Sequence, residues 1–372
     1  MFLALKEMRR ALVRFGLLIG AVALLAFLIL FQQALRDGLL ISFVGGIRNQ
    51  RAPVLVYSVD AQRTLEGSVI TPPLEAQIRA TPGIDTVARV GQNTFTVQVE
   101  GGDDDSDAAI IGTDDPSLVR PVDLTVGRLP ATPGEAVGSD TDFAVGDEVE
   151  VVATVGEPVR LTVVGVARDI QLSVSPTLFT DLATFEAATR AASPDAGDIL
   201  PSALAIRPVD GTAADDLVAA INSGAPDAEA LTREDAADRS PGVSQVRQSF
   251  QVIFVLYGVV IPLVTGLFFL ILTLQKAGAL TLLRAVGVAG GALARALLVQ
   301  VAVVLAAGLA VGIALYAAIT RVRVGGLALR FDAGAVALWS VLLVVLGLFS
   351  VVVSLRRVLR IDPIEATTGA AR

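Results

Sequence analysis

The chain has 372 residues, of which 53% are hydrophobic, and a formal net charge of −8. Soluble globular proteins contain about 45–50% apolar residues, so this composition indicates membrane-spanning segments. Cysteine and histidine are absent, which excludes disulfide bonds, Cys/His zinc sites and any histidine-based catalytic triad.

Four apolar runs are long enough to cross the roughly 30 Å core of a bilayer as helices. They are Phe15–Phe31, Phe250–Leu274, Ala296–Ile319 and Ala333–Leu355. The first run follows a charged start, as in a signal peptide, but it exceeds the usual apolar length of about 7–15 residues and no convincing A-x-A cleavage site follows. We therefore expect an uncleaved first span and keep cleavage as the less favoured alternative.

Charge is distributed unevenly along the chain. Residues 37–248 hold 33 acidic and 14 basic residues, whereas the rest of the chain is basic. Basic residues mark the cytoplasmic ends of spans, and they are enriched before the first span, between the second and third, and after the fourth. Both termini are therefore expected in the cytoplasm and the acidic region outside, although Arg321, Arg323 and Arg330 in the last outer loop disagree. An acidic outer domain also argues against nucleic-acid binding.

The acidic region has the pattern of a mixed α/β domain. In chain order it shows a strand from Pro53, a short helix and then strands within residues 75–100, and a turn between strands at residues 101–107. A hairpin around Gly156 and an amphipathic helix with Thr212 as its N-cap follow. The predicted fold is an α-helical membrane protein with four transmembrane helices and a mixed α/β extracytoplasmic domain inserted between the first and second.

The expected organisation divides the chain into nine segments. In order these are a cytoplasmic flank (1–14), the first span with the start of a helical stalk (15–36), the outer domain (37–248), the second span (249–274), a cytoplasmic loop with a coupling helix (275–295), the third span (296–320), a short outer loop (321–332), the fourth span (333–355) and a cytoplasmic tail (356–372).

Two features of the membrane part stand out. The segment QKAGALTLLRAVGVAGGALARALL, Gln275–Leu298, is mostly apolar, carries three basic residues and has no acidic one. Periodicity leaves open whether it is a plain interfacial connector or a helix that docks a cytoplasmic partner. In the third span, Gly308 and Gly312 are four residues apart, a spacing that favours close helix packing within the chain or in a dimer.

Several motifs carry a family resemblance. LTLLRAVGV in the inner loop and RRVLRIDPIEA near the C-terminus, together with VGRLPATPGEAV, FAVGDEVEVVA and VRLTVVGVARD in the outer domain, resemble the permease family that includes MacB-, LolC/LolE-, DevC- and FtsX-type proteins. The chain departs from the family pattern before VGD, where GSDTDF replaces a short Ala/Leu helix.

The resemblance implies a membrane subunit of an ABC transporter that works as a homodimer or as a heterodimer with a related permease. Its cytoplasmic ATPase would be a separate chain, because the P-loop GxxxxGK[ST] is missing here and neither Lys6 nor Lys276 follows a glycine. No catalytic, cofactor-binding or metal-binding residue is expected, and ATP and Mg²⁺ belong to the partner. The implied ATPase contact is Leu280, Leu282, Leu283, Arg284, Ala285 and Gly287, and the C-terminal motif is Asp362, Pro363 and Glu365.

The function implied by the resemblance is to couple ATP hydrolysis to movement of the outer domain, for export or for extraction of a lipid or lipoprotein. The alternative is an FtsX-like regulator of extracytoplasmic cell-wall hydrolases. A membrane-bound enzyme is a third class, but no nucleophile–base constellation supports it. The expected location is the bacterial inner or plasma membrane, with the lipid bilayer and an envelope or periplasmic adaptor as further partners. The substrate stays open.

Overall fold

The computed structural model describes residues 12–99, 105–275, 290–321, 323–324 and 327–359. The chain divides into two compact units. The helical unit comprises Met1–Gly38 and Gln248–Arg372, and the sheet unit comprises Leu39–Arg247.

The helices are named in chain order over the described residues. They are α1 (Leu12–Arg48), α2 (Pro72–Arg79), α3 (Leu182–Ala192), α4 (Ala214–Gly224), α5 (Arg233–Asp238), α6 (Val243–Gln275), α7 (Gly290–Ile319) and α8 (Ala333–Leu359), with one 3₁₀ turn at Val59–Ala61. Both α1 and α6 contribute residues to each of the two units.

Three helical stretches of the described chain are long and apolar enough to cross a membrane: Phe15–Arg48, Val243–Leu267 and Leu298–Ile319. The apolar stretch of α8, Ala333–Phe349, is shorter. Side chains more than half exposed recur along one face of α6, namely Val252, Leu256, Val259, Leu263 and Leu267. This face has the spacing and chemistry of a lipid-facing surface.

The described residues of the sheet unit form one sheet of ten strands. They are β1 (Val54–Ser58), β2 (Ile84–Val99), β3 (Ser106–Thr113), β4 (Leu124–Gly127), β5 (Glu135–Ser139), β6 (Glu148–Val151), β7 (Val159–Ala167), β8 (Thr177–Asp181), β9 (Ala203–Pro208) and β10 (Ala228–Thr232). Their order is β10-β1-β9-β2-β3-β8-β5-β7-β4, and β6 pairs with β2 and β7. The pairs β3–β8 and β5–β7 are parallel, and the others are antiparallel. A further pair, β11 (Arg323–Val324) with β12 (Leu327–Ala328), follows α7.

Strand β2 differs from the sequence prediction. The region predicted as strands in the plural is one strand of 16 residues. It remains a single element because successive parts pair with different neighbours: residues 84–90 with β9, 90–97 with β3 and 97–99 with β6. The predicted hairpin is confirmed, with Val151 opposite Val159.

The two faces of the sheet are covered by different helices. Successive strand residues point to opposite faces. Leu55 and Tyr57 of β1 therefore join a core with the C-terminal part of α1, whereas Val54 and Val56 join a core with α2 and α4. A third core forms around Phe185 of α3, on the face of β3 that presents Ala108 and Ile110.

The structure decides two local features that the sequence analysis singled out. The prediction that Thr212 caps α4 is wrong, because the N-cap residue is Ala213 and no side chain makes a capping hydrogen bond there. The helix begins later than expected, and Thr212 N–H donates instead to the Val209 carbonyl at 3.0 Å. The departing segment GSDTDF forms a turn in which the Ser139 hydroxyl donates to Asp142 Oδ2 at 2.7 Å.

Candidate functional site

Residues 39–48 of α1, here called the docking segment, belong to the sheet unit. Leu40, Val44 and Ile47 lie on one face of the helix at spacings of four and three residues, and all three are buried in the sheet core. Removing so much apolar surface from water holds this end of α1 firmly on the sheet.

A glycine pair lets the docking segment approach another backbone. A Cβ at Gly45 would lie 2.4 Å from the Asp169 carbonyl oxygen, and one at Gly46 would lie 3.0 Å from the Ile170 carbonyl oxygen. Gly46 N–H donates to the Gln171 carbonyl at 2.9 Å. Only glycine fits at Gly45 without a shift of the backbone, so this contact depends on the absence of a side chain.

The partner of the docking segment is the loop of residues 168–176, which follows β7. Its Ser173 and Val174 N–H groups donate to the carbonyls of Phe43 and Ser42, at 3.1 and 2.7 Å. Asp169, Ser173 and Val174 all have positive φ, at 57°, 53° and 63°. A β-branched residue such as Val174 is strained there, so the contacts with α1 stabilise an otherwise unfavourable loop.

Side chains extend this contact on both sides of the loop. The Asn49 amide donates to the Asp169 carbonyl at 2.6 Å, and the buried Ser42 hydroxyl donates to Gln171 Oε1 at 3.0 Å. Gln171 in turn donates to Asp142 Oδ2 at 2.8 Å. The turn of the departing GSDTDF segment is thereby linked through Gln171 to α1.

Asp238, the last residue of α5, connects the docking segment with the start of α6. Its carboxylate accepts hydrogen bonds from the guanidinium groups of Arg48 on α1 and Arg247 on α6. The hydrogen bond from Arg247 is the main cause that lowers the pKa of Asp238; partial burial opposes it, and the charges of Arg247 and Arg48 add to the lowering. Val243 of α6 is buried in the same core as Leu40 and Val44.

Within the helical unit, α7 packs against α1 through its glycines. A Cβ at Gly308 would lie 2.6 Å from Val22 Cβ, and one at Gly312 would lie 2.7 Å from the Ala23 carbonyl oxygen and 2.8 Å from Ala26 Cβ. The two glycines predicted to pack are thus placed on α1 of the same chain. Such close backbone approach is the usual way in which membrane helices associate.

An aromatic cluster with polar groups joins the helices of the same unit. The Arg36 guanidinium lies over the Phe254 ring at 5.6 Å, and that ring is 5.1 Å from the ring of Trp339. The Tyr316 hydroxyl donates to the Arg330 carbonyl at 2.8 Å. Rings with a polar end are typical of the level at which a helix leaves the lipid.

The contacts described for these elements are apolar packing, hydrogen bonds and ion pairs. Among the described residues no group of three or more Asp and Glu side chains could hold a metal ion. The geometry instead attaches the parts of α1 and α6 that belong to the sheet unit to one face of the sheet.

The profile of the MacB-like periplasmic core domain matches residues 11–224, which is more than half of the chain. The chain belongs to the MacB-like permease family. The matched range of this MacB-like permease includes α1, the docking segment and the sheet as far as α4.

Two solved structures illustrate what this MacB-like permease is similar to. The periplasmic region of MacB from Actinobacillus actinomycetemcomitans is 13% identical, with a TM-score of 0.35, over 51% of this chain and 91% of that one. The extracellular domain of the noncanonic ABC-type transporter YknZ from Gram-positive bacteria is 11% identical, with a TM-score of 0.32, over 48% of this chain and 98% of that one. No curated protein sequence matches the chain.

The other predicted site residues of this permease lie outside the described residues. They are Leu280, Leu282, Leu283, Arg284, Ala285 and Gly287 of the expected ATPase contact, and Asp362, Pro363 and Glu365 of the C-terminal motif. Sequence reasoning missed Asp238 and the glycine pair of the docking segment. A usable signal was present, because GG interrupts the helical pattern LLISFVGGIR.

Proposed function

We propose that the chain is the permease subunit of an ABC-type transporter that turns ATP hydrolysis on a separate chain into movement of its sheet unit. In this proposal four spans cross the membrane, α8 being the fourth, both termini are cytoplasmic and the sheet unit lies outside. The family supports the transporter class, and the basic residues flanking the apolar runs support the orientation.

The observation that carries the proposal is the attachment of α1 and α6 within the sheet unit. Each helix is continuous from its apolar stretch into the sheet unit, where Arg48 and Arg247 meet at Asp238. A helix of 37 residues such as α1 is roughly 55 Å long. Displacement of its apolar part would move the docking segment, the loop of residues 168–176 and the sheet strands with it.

The lack of charged residues in the apolar runs is consistent with mechanical transmission. Charged side chains inside spans usually mark ion or substrate pathways. The apolar runs Phe15–Phe31, Phe250–Leu274, Ala296–Ile319 and Ala333–Leu355 contain no Asp, Glu, Lys or Arg. The work of the permease would then take place on the outer domain, as export or as extraction of a lipid or lipoprotein.

The partner that this proposal requires is a cytoplasmic ABC ATPase, which binds ATP and Mg²⁺. It would contact residues 280–287, with Arg284 opposite an acidic group. The permease would function as a homodimer or a heterodimer with a related permease. The alternative of an FtsX-like hydrolase regulator is less favoured, because outer domains of that type are usually smaller than the unit Leu39–Arg247.

A first experiment tests the partner. The full chain is purified from its native membrane in mild nonionic detergent, and the co-eluting proteins are identified. We expect a P-loop ATPase, and we expect Arg284→Glu to reduce its recovery at least several-fold while Arg295→Glu, outside the implied contact, does not. Recovery without any ATPase would refute the permease assignment, and equal recovery with both variants would remove Arg284 from the contact.

A second experiment tests transmission. Because the chain has no cysteine, single cysteines placed at exposed Val126 of the sheet unit and exposed Val252 of the helical unit take spin labels selectively. Distances are measured by pulsed electron resonance in the complex with its ATPase, with and without a non-hydrolysable ATP analogue. A nucleotide-dependent shift that Asp238→Asn diminishes is expected. Identical distance distributions in both states would refute transmission.

A further inference from the structure

A cavity of about 650 Å³ lies in the sheet unit beside the end of α1. Its wall includes three arginines, Arg48, Arg168 and Arg233, which come from α1, from the residue after β7 and from the start of α5. Ligand pockets in proteins are typically about 300–1,000 Å³, so the volume suits a small molecule or a headgroup.

The charges around the cavity are only partly balanced. Arg48 shares the single carboxylate of Asp238 with Arg247, and Arg168 approaches Asp140 no closer than 3.6 Å. Two carboxylates, Asp123 and Asp169, also belong to the cavity wall. The arginines therefore outnumber the lining carboxylates in a region of the chain that is otherwise strongly acidic.

The neighbouring backbone brings two more arginines close to the cavity. Arg51 N–H donates to the Arg120 carbonyl at 3.0 Å, and Val122 of the cavity wall donates its N–H to the Asn49 carbonyl at 2.8 Å. Burial, followed by the charge of Arg51, lowers the pKa of Arg120. The guanidinium groups of Arg51 and Arg120 thus add positive charge beside the cavity.

Within the described part of the chain, Arg233 of the cavity wall has one donor without a partner. Its Nη1 donates to the Gln50 carbonyl at 2.7 Å, and it forms no ion pair among the described residues. Its Nε is buried and has no hydrogen-bond partner in that part of the chain. Buried donors are rarely left unpaired, since an unmade hydrogen bond is costly. Rotation of this guanidinium onto an anion would satisfy the missing bond.

We propose that this cavity binds a phosphate group, carried by a small soluble phosphate ester or by a phospholipid headgroup. A guanidinium offers donors in a planar fork that matches phosphate oxygens in pairs. A guanidinium has more N–H donors than a single carboxylate has oxygens, so phosphate can supply acceptors for the remaining donors of the three arginines. The proposal does not depend on transport, because it concerns the sheet unit alone.

The role of Asp123 gives the proposal a directional test. Its exposed carboxylate lines the cavity and would repel a bound anion. Asp123→Asn should therefore strengthen binding about threefold, whereas Arg168→Gln and Arg233→Gln should each weaken it about tenfold. The Arg168 side chain is 65% exposed, so Arg168→Gln should leave the fold intact. This variant therefore keeps the test valid even if Arg233→Gln, which removes the hydrogen bond to the Gln50 carbonyl, disturbs folding.

The test uses the full chain in nonionic detergent at low ionic strength. One arm titrates inorganic phosphate by calorimetry, and the other counts bound phosphatidylglycerol against phosphatidylcholine by native mass spectrometry. The matched control is Arg160→Gln, an exposed arginine paired with Glu150 on a remote hairpin.

Three outcomes decide the proposal. Phosphate binding that depends on Arg168 and Asp123 supports a soluble ligand, and retention of phosphatidylglycerol alone with the same dependence supports a headgroup. Absence of both, or binding that Arg160→Gln weakens as much as Arg168→Gln does, overturns it. Loss of the ATPase partner would leave each of these results unchanged, so the failure of the proposed function and of this inference can be told apart.

Discussion

The two units attach helices to their surroundings by different means. In the sheet unit, α1 is held by buried apolar residues, by backbone bonds to the loop of residues 168–176 and by the charged pairing at Asp238. In the helical unit, α7 is held on α1 by the close approach of Gly308 and Gly312. In lipid no hydrophobic effect drives helices together, so their association depends on close packing. In water the burial of apolar side chains is favourable, and ion pairs such as those of Asp238 can form at the surface.

The comparison predicts that the stability of the helical unit depends mainly on close packing at its glycines. We therefore expect the largest loss of stability from a substitution there. Gly312→Leu would force side-chain atoms into Ala23 and Ala26 of α1 and should destabilise the helical unit by roughly 3 kcal/mol. Gly258→Leu, at a glycine with nothing within 4 Å, is the control and should have little effect. The only tryptophan, Trp339, reports unfolding of this unit by its fluorescence. Equal losses in both variants would refute the packing argument.

The close approach of the docking segment to the loop of residues 168–176 can be tested by adding a methyl group at Gly45. Gly45→Ala should destabilise the sheet unit by about 2 kcal/mol, because the new methyl group would lie 2.4 Å from the Asp169 carbonyl oxygen. Gly224→Ala, in a helix with open space around it, should instead be neutral or slightly stabilising. Urea denaturation and hydrogen exchange of residues 168–176 measure both. Effects of the same sign in the two variants would contradict the model of a glycine-dependent contact.

A smaller loss of stability is expected when the ion pairs of Asp238 with Arg48 and Arg247 are weakened. Asp238→Asn should destabilise the sheet unit by about 1 kcal/mol, since the side chain is 40% exposed and solvent screens its pairs. The pKa of Asp238 is lowered in the folded state, so its contribution is present above its unfolded value of about 4 and is lost as pH falls further. Wild type and variant should therefore converge in stability below that pH. A constant difference down to pH 2 would exclude this origin.

The smallest expected effect is at Thr212, the residue that the sequence predicted as a helix cap in the sheet unit. Thr212→Ala should change stability by less than about 0.3 kcal/mol, because Thr212 makes no capping bond. Asp181→Ala should cost about 1 kcal/mol, because the Asp181 carboxylate accepts from Thr184 N–H at 2.9 Å at the start of α3. Thermal unfolding followed by circular dichroism distinguishes the two. A loss of stability of about 1 kcal/mol in Thr212→Ala would show that Thr212 caps α4 after all.

Much of the fold class was accessible from local patterns. The α/β character of the sheet unit and the MacB-like family are confirmed, and so is the hairpin of β6 and β7. Alternation of apolar residues and turn residues is a local property, so it can be seen in one sequence. The cap at Thr212 was wrong because helix boundaries vary by a residue or two with the packing around them.

The candidate site was harder to predict from the sequence than the fold class. The sequence singled out Gly308 and Gly312 by spacing, but the helix against which they pack could not be known from spacing. The glycine pair in LLISFVGGIR passed without notice, because its partner carbonyls lie at Asp169 and Ile170, far along the chain. The predicted ATPase contact and C-terminal motif lie outside the described residues and stay predictions.

By itself, the sequence determined the apolar runs, the acidic region between the first two of them and the alternating strands, because composition and periodicity are properties of neighbouring residues. Only the tertiary structure decided that Asn49 meets Asp169 and that Arg48 meets Asp238, 120 and 190 residues away. Contacts over such separations depend on how the sheet is ordered and which face each helix covers. No local pattern encodes that choice, since it is made by the packing of the whole unit.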